Sequence, residues 1–457
     1  MQERPSLDVQ KLLDEQPVTS FQARILLLCF AVVLLDGFDT GAIGFIAPSL
    51  LKEWGVTRPA LAPVLSAALV GLALGALISG PLADRLGRRL VLLGSVALFG
   101  VATLGSAYAA DLSQLALLRF FTGVGLGAAM PNAVTLSSEY CPTRRRSTLT
   151  NAMFCGFPLG AAAGGFLANY IIPQWGWRGV LVIGGVAPIV LAVIAIFVLP
   201  DSVRYMIAKQ QPVERIRAVL RHLSPAAAQA ESFTLSEAAA SGQDKGSAIG
   251  LVLSKRYWLG SLMLWITYFS GLVIFYALIN WMPLLLRDAG LAPQQATLIS
   301  ALFPLGGFGA VFAGWLMDRS SPDRVVSACY GLTGLGMFAI GQLTGQLSLL
   351  VIAVFFSGIF MNTAQSSVPS VAAAFYPTHA RATGVAWMMG FGRFGGILGS
   401  FLVADLTRRQ LSFAQIFTII AIPGATAALA MLVKHAFRPE QAAGETASST
   451  AVESLGH

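Results

Sequence analysis

Apolar runs of about twenty residues recur almost without a break from Ile25 to Val433, and each is long enough to cross roughly 30 Å of hydrocarbon as a helix. Inside hydrocarbon no water is present to pair with backbone N–H and C=O groups. A segment of this kind must therefore close its hydrogen bonds within itself, and an α-helix does so. Composition agrees, since only 11% of the residues are charged and mean hydropathy is +0.70, whereas a water-facing domain carries about 25% charged residues. The runs predict twelve helical spans at about 22–46, 62–82, 90–110, 113–138, 149–172, 179–199, 258–282, 293–317, 325–343, 347–375, 380–404 and 412–434. The fold class is thus all-α and polytopic. Most of the 47 glycines fall inside these runs, where small side chains let helices approach closely.

With the N-terminus in the cytoplasm, 22 of the 30 Lys and Arg residues fall on the inner side. Lys52, Arg58, Arg178, Arg287, Arg408 and Arg409 fall outside, and Arg119 and Arg393 remain within spans. This imbalance predicts that both termini are cytoplasmic. It also accounts for the net charge of +8 without a nucleic-acid partner. The polar first twenty or so residues followed by a long apolar span do not read as a cleavable signal peptide. Cys29, Cys155 and Cys329 lie within or beside spans and Cys141 at a cytoplasmic edge, so no disulfide is expected.

The predicted organisation is an N-terminal tail (1–21), a six-helix bundle (22–199), a polar central loop (200–257), a second six-helix bundle (258–434) and a C-terminal tail (435–457). Within the loop, 213–223 has the pattern of a short amphipathic helix on the inner surface, and the rest reads as mobile linker. The halves echo each other. GPLADRLGRR follows span 2 and GWLMDRSSPDR follows span 8, so Gly80 and Gly314 each precede an Asp-Arg pair, Asp84-Arg85 and Asp318-Arg319. Such glycines permit close helix approach, and the charges can pair with the opposite half or cap a helix end. Span 5 carries GFPLGAAAGG and span 11 carries GRFGGILGS, a second, weaker echo. Duplicated six-helix halves suit alternating access, in which bundles rock about a central site.

The GxxxDRxGRR hairpin at Gly80–Arg89, the RFxxGxGxG pattern at Arg119–Gly127 and LPDSVRY at Leu199–Tyr205 resemble the major facilitator superfamily, across almost the whole chain. Span 1 reads LLDGFDTGAIGFIAPSL, and its DGFDT segment resembles the aromatic acid:proton symporter family. That resemblance implies twelve helices in two pseudo-symmetric bundles in a bacterial inner membrane. It implies uptake of 4-hydroxybenzoate, benzoate, protocatechuate or a related acid, with the proton gradient as energy source, no cofactor, and a monomer as the working unit. It assigns the span-1 aspartates to Asp36 and Asp39, the hairpin acids to Asp84 and Asp318, and the acid ending span 4 to Glu139. The membrane arginines become Arg119 and Arg393, and the basic site of the 10–11 hairpin becomes Arg381, preceded by His379. With them, Gly80, Arg85, Arg88, Arg89 and Arg319 form the expected gating set. Asp201 stands where relatives usually have glutamate, a conservative departure.

The buried charges carry a reading of their own. Asp36 and Asp39 lie near or just beyond the bilayer middle and, three residues apart, share a helix face. Desolvation and like charge both oppose ionisation of the two together, so the pair is expected to take up and release a proton. Arginines at membrane depth mark a path or a binding site unless they only hold helices together, and a guanidinium fork matches a carboxylate. Arg393 is assigned to the substrate and Arg119 to the proton site, with the reverse as the alternative. An aromatic acid also needs a flat apolar slot with a few polar groups. Tyr276, Asn280 and Trp387 are the preferred lining, with Gln365 from span 10, although any single aromatic could instead face lipid or pack helices.

Two transport readings rival this one, proton-coupled export of small organic compounds and uptake of a non-aromatic acid. Exporters of the superfamily typically carry GxxxGPxxGG in span 5. Here Gly156, Gly160, Gly164 and Gly165 are present but Ala161 stands where the proline would be. A receptor would have no need of midplane charges, and an enzyme finds no phosphate loop or metal spacing among His222, His379, His435 and His457.

Overall fold

Helices in lipid gain little by hiding apolar side chains from one another, so they associate where small residues let backbones touch. The computed structural model describes residues 6–142, 149, 152–224, 227, 230, 232–234, 248–308, 317, 319–376 and 378–437. In chain order these form β1 (Ser6–Asp8), α1 (Val9–Glu15), α2 (Ser20–Trp54), α3 (Arg58–Leu86), α4 (Arg88–Ser106), α5 (Leu112–Glu139) and α6 (Gly156–Val198). The central segment contributes α7 (Val203–Ala208), α8 (Val213–Leu220), β2 (Ser232–Thr234) and α9 (Ala248–Val252). The second half contributes α10 (Trp258–Asp288), α11 (Pro293–Leu305), α12 (Pro322–Gln342), α13 (Leu347–Phe375), α14 (Thr378–Arg408) and α15 (Phe413–Ala436).

Ten helical stretches among the described residues are long and apolar enough to cross a membrane. The longest, Ala152–Val198, has 47 residues, about 70 Å of helix and twice what one crossing needs. It bends at Gly176, whose φ of 67° and ψ of −176° are non-helical and fall where a side chain is poorly tolerated. The bend is tied to the end of α2: Trp177 Nε1 donates to Glu53 at 2.6 Å, and Arg178 pairs with the same carboxylate. The eighth expected span is described from Pro293 to Phe308, with 309–316 outside the described residues.

Packing follows the two glycine-rich stretches. The first part of α6 lies along α2, where a Cβ on Gly37 would stand 1.9 Å from the Phe157 carbonyl oxygen and one on Gly160 1.8 Å from that of Leu34. In the second half α14 lies along α10, where a Cβ on Gly395 or Gly399 would stand 2.3 Å from the carbonyl oxygens of Phe269 and Val273. The halves of the chain meet where Gly44 of α2 seats against Ile279 and Asn280 of α10. Nearby Arg58, at the start of α3, and Asp288, at the end of α10, pair at 2.6 Å.

The N-terminal segment and the central segment meet in the structure. β1 pairs in parallel with β2, Ser6 opposite Ser232 through Asp8 opposite Thr234. The helix expected over 213–223 runs Val213–Leu220, and its buried Ile216 and Leu220 join Val9, Leu12 and Leu13 of α1 in one apolar cluster. Its apolar side is covered by protein from the N-terminal segment and not by lipid.

Candidate functional site

Asp39 of α2 and Arg119 of α5 form a buried ion pair, each 1% exposed. Arg119 donates Nη1–H to Asp39 Oδ1 at 2.9 Å and Nη2–H to Oδ2 at 2.7 Å, the two-pronged geometry in which guanidinium and carboxylate bind most strongly. Thr103 of α4 donates its hydroxyl to the same Oδ1 at 2.9 Å and lies 3.3 Å from the Thr122 hydroxyl. Arg119 Nε, also buried, has no acceptor among the described residues. One side of this pair borders a cavity of about 20 Å³ lined by Asp39, Thr40, Arg119, Tyr276 and Asn280 among apolar side chains. That volume holds about one water-sized molecule and no aromatic ring.

Asp36, one helical turn before Asp39 and 3% exposed, is treated differently. Its only hydrogen bond among the described residues comes from the Thr40 hydroxyl at 3.4 Å, and no cation lies within 4 Å of it. Arg393 of α14 is half-buried and has no carboxylate within 4 Å among the described residues. Its charge nevertheless acts on Asp36, Tyr268 and Tyr276. Tyr276 lies against Gly396, where a Cβ would stand 2.7 Å from the ring. Asn280 borders the cavity and donates to Ser400 Oγ at 2.8 Å, joining α10 to α14. Gln365 of α13 accepts from the Tyr330 hydroxyl at 2.6 Å.

Trp387 does not join this group. It is 37% exposed and forms a stripe on α14 with Phe391, Phe394 and Leu398, also exposed, and it packs on Trp265 at 6.0 Å between ring centroids. Six residues from Arg393, it points about 120° away around the helix. That position sets it apart from Arg393 in this conformation.

The gating residues separate in the same way. Arg88 Nε lies 2.9 Å from Glu139 Oε1, joining the start of α4 to the end of α5. Glu139 also accepts from Ser202, whose hydroxyl in turn accepts the Tyr205 backbone N–H at 3.0 Å. Tyr140 donates to the Asp201 carbonyl, and burial, reinforced by the Glu139 and Asp201 charges, raises its phenol well above the ordinary value and keeps it a donor. Arg89 donates to the Ile196 carbonyl, and the carbonyl of exposed Arg85 accepts from Tyr205. All these contacts stay within the first half of the chain, so in this conformation they staple helix ends and do not bridge the halves. The close approach expected at Gly80 is also corrected, since a Cβ there would meet nothing within 4 Å. Gly71 and Gly75 make that approach instead, against Phe120 and Val124 of α5. Arg319 is exposed. The side chains of Asp84 and Arg381, and residue Asp318, lie outside the described residues.

Thr103, Tyr330 and the Arg58–Asp288 pair escaped the sequence reading. Arg58 entered it only as an outer charge, and nothing in the sequence distinguishes Thr103 from other hydroxyls inside spans. Ser202 stood in the LPDSVRY segment, where a link to Glu139 could have been sought.

The model of the Major Facilitator Superfamily matches residues 29–310 and 264–455. Among curated proteins, the chain is 50% identical over 430 residues to the 4-hydroxybenzoate transporter PcaK of Pseudomonas aeruginosa, covering 94% of this chain and 96% of that one. It is 46% identical to a gallate transporter of Pseudomonas putida (93% and 94% covered) and 30% identical to a benzoate transport protein of Acinetobacter baylyi (91% and 90% covered). A crystal structure of a D-xylose-proton symporter shares the fold, with a TM-score of 0.73 at 17% identity over 92% of this chain and 99% of that one. The chain belongs to the Major Facilitator Superfamily. It is a multi-pass membrane transporter, not an enzyme.

Proposed function

We propose that this protein takes up a small aromatic carboxylate of the 4-hydroxybenzoate type together with protons, by alternating access across a bacterial inner membrane. The observation that carries the reading is Arg393, half-buried and without a carboxylate partner among the described residues, set near Asp36, Tyr268 and Tyr276. A cation held at that depth without a fixed partner calls for an anion from outside the chain. The ring chemistry is supported by the 4-hydroxybenzoate and gallate transporters that resemble the chain along nearly its full length.

In this reading twelve spans form two six-helix bundles, the bend at Gly176 separates the fifth from the sixth, and the end bearing β1 and the central segment is cytoplasmic along with both termini. The protein works as a monomer. Arg393 holds the substrate carboxylate, Tyr276, Asn280 and Gln365 line the pocket, Asp36 carries the proton, and Asp39 with Arg119 forms the closed partner of that site. The staple from Arg88 to Glu139 and the hairpin residues Asp84, Asp318 and Arg381 tune the cytoplasmic opening.

The test is uptake of labelled 4-hydroxybenzoate into proteoliposomes that are acidic outside and neutral inside. Accumulation above the equilibrium level, collapsed by a protonophore, is the expected result. Net extrusion under the same gradient, or uptake only of non-aromatic acids, would overturn the reading.

A further inference from the structure

Gln365 sits in an arrangement that goes further than lining a pocket. The Tyr330 hydroxyl, on a fully buried side chain of α12, donates to Gln365 Oε1 at 2.6 Å. That bond fixes the amide plane and turns Nε2 away from Tyr330. Nε2 is buried and has no well-formed hydrogen-bond acceptor among the described residues, a state that native interiors avoid unless something else supplies the partner. The contact depends on residue 271, where a Cβ would stand 2.0 Å from Gln365 Oε1 and 2.4 Å from the Tyr330 hydroxyl. Gly271 therefore leaves room for the pair. One turn earlier on α10, the Tyr268 hydroxyl is the hydrogen-bonding neighbour of the same amide and lies within the field of Arg393, at a separation or angle too poor to satisfy Nε2. Tyr330 and Gln365 bond directly, Tyr268 neighbours Gln365, and Arg393 acts on Tyr268 through its charge, so the row is charged at one end and ends in an oriented neutral donor at the other.

We propose that Gln365, oriented by Tyr330, donates its Nε2–H to the ring hydroxyl oxygen of a hydroxylated aromatic acid whose carboxylate is held by Arg393. The inference rests on the function proposed above and adds the group that reads the ring. The two ends of such a substrate differ in charge as the two ends of the row do: the anionic carboxylate takes the guanidinium, and the neutral phenol takes the neutral amide. A benzoate without a hydroxyl leaves Nε2 unpaired, and a site built to bond a substrate hydroxyl discriminates strongly against the analogue that lacks it. Gln365 contacts the substrate, whereas Tyr330 is a positioning residue acting through it.

The experiment measures initial uptake rates of labelled 4-hydroxybenzoate and labelled benzoate, over a concentration range, in proteoliposomes of the full chain. The variants are Gln365→Met and Tyr330→Phe. The wild-type ratio of kcat/KM should favour 4-hydroxybenzoate. Gln365→Met should lower that ratio about tenfold or more, and Tyr330→Phe should lower it severalfold in the same direction, mostly through KM. Equal losses for both acids, an unchanged ratio in both variants, or a wild-type preference for benzoate would overturn the proposal. If Gln365→Met does not fold, the Tyr330→Phe ratio alone decides. A wild-type protein that takes up neither acid overturns the proposed function and this inference with it, whereas coupled uptake with an unmoved ratio overturns only the inference.

Discussion

Arg119 and Arg393 both lie inside spans, and the fold treats them in opposite ways. Arg119 meets Asp39 through both terminal nitrogens, with Thr103 bracing the carboxylate, and is sealed from solvent. Arg393 is half-buried, has no acid within 4 Å among the described residues, and acts through its charge on Asp36 and two tyrosines. One arginine is a closed internal contact and the other has no carboxylate fixed on it among the described residues. A membrane arginine therefore acquires its meaning from the partner it is given, since depth alone does not separate the two.

The comparison is broken most forcefully at the closed pair. Removing one partner of a buried ion pair leaves the other charge stranded, so Asp39→Leu or Arg119→Leu should destabilise the protein by about 3–5 kcal/mol and abolish uptake. The double variant should be less destabilised than either single one, a sign that thermal unfolding in detergent can check. Arg393→Ala should instead lose transport by about a hundredfold or more while its unfolding midpoint barely moves. Arg393→Lys, which keeps the charge and loses the fork, should fall between. A stability loss in Arg393→Ala equal to that in Arg119→Leu would erase the distinction.

Asp36→Asn sharpens it on the acid side. Exchange of labelled for unlabelled 4-hydroxybenzoate across the vesicle membrane should continue, while accumulation driven by a pH gradient falls about tenfold or more. The same loss in exchange as in accumulation would remove Asp36 from proton transfer. Smaller effects belong to Arg58 and Asp288, which are partly exposed. Pairs of this kind are worth about 0.2–1 kcal/mol, so Arg58→Asp should change the uptake KM by at most about fivefold, and combining it with Asp288→Arg should restore it. Gly80→Ala should be the mildest of all, stabilising the helix by about 0.5–1 kcal/mol at most, in contrast to Gly160→Ala, which meets backbone.

The membrane helices were legible because lipid imposes one solution on a long apolar run, and the Arg119 and Arg393 positions because charge is rare there. The division of labour between them was not legible, since Asp36 and Asp39 share one helix face and only the position of α5 decides which of them meets Arg119. Trp387 illustrates a second limit. The sequence spacing alone does not say which side of α14 an aromatic six residues from Arg393 takes, and here it lies on the exposed stripe with Phe391 and Phe394. The docked N-terminal segment was hidden because its partners lie more than two hundred residues away, beyond the reach of any local pattern.

That distance has a consequence for how the protein is made. Ser6–Asp8 has no strand to pair with until Ser232–Thr234 has been synthesised, and at about 5–20 residues per second the wait exceeds roughly ten seconds. The segment that emerges first is thus among the last of the first half to find its place. By then every helix from α2 to α6 has been translated, and closure of β1 on β2 marks the moment at which that half can be complete.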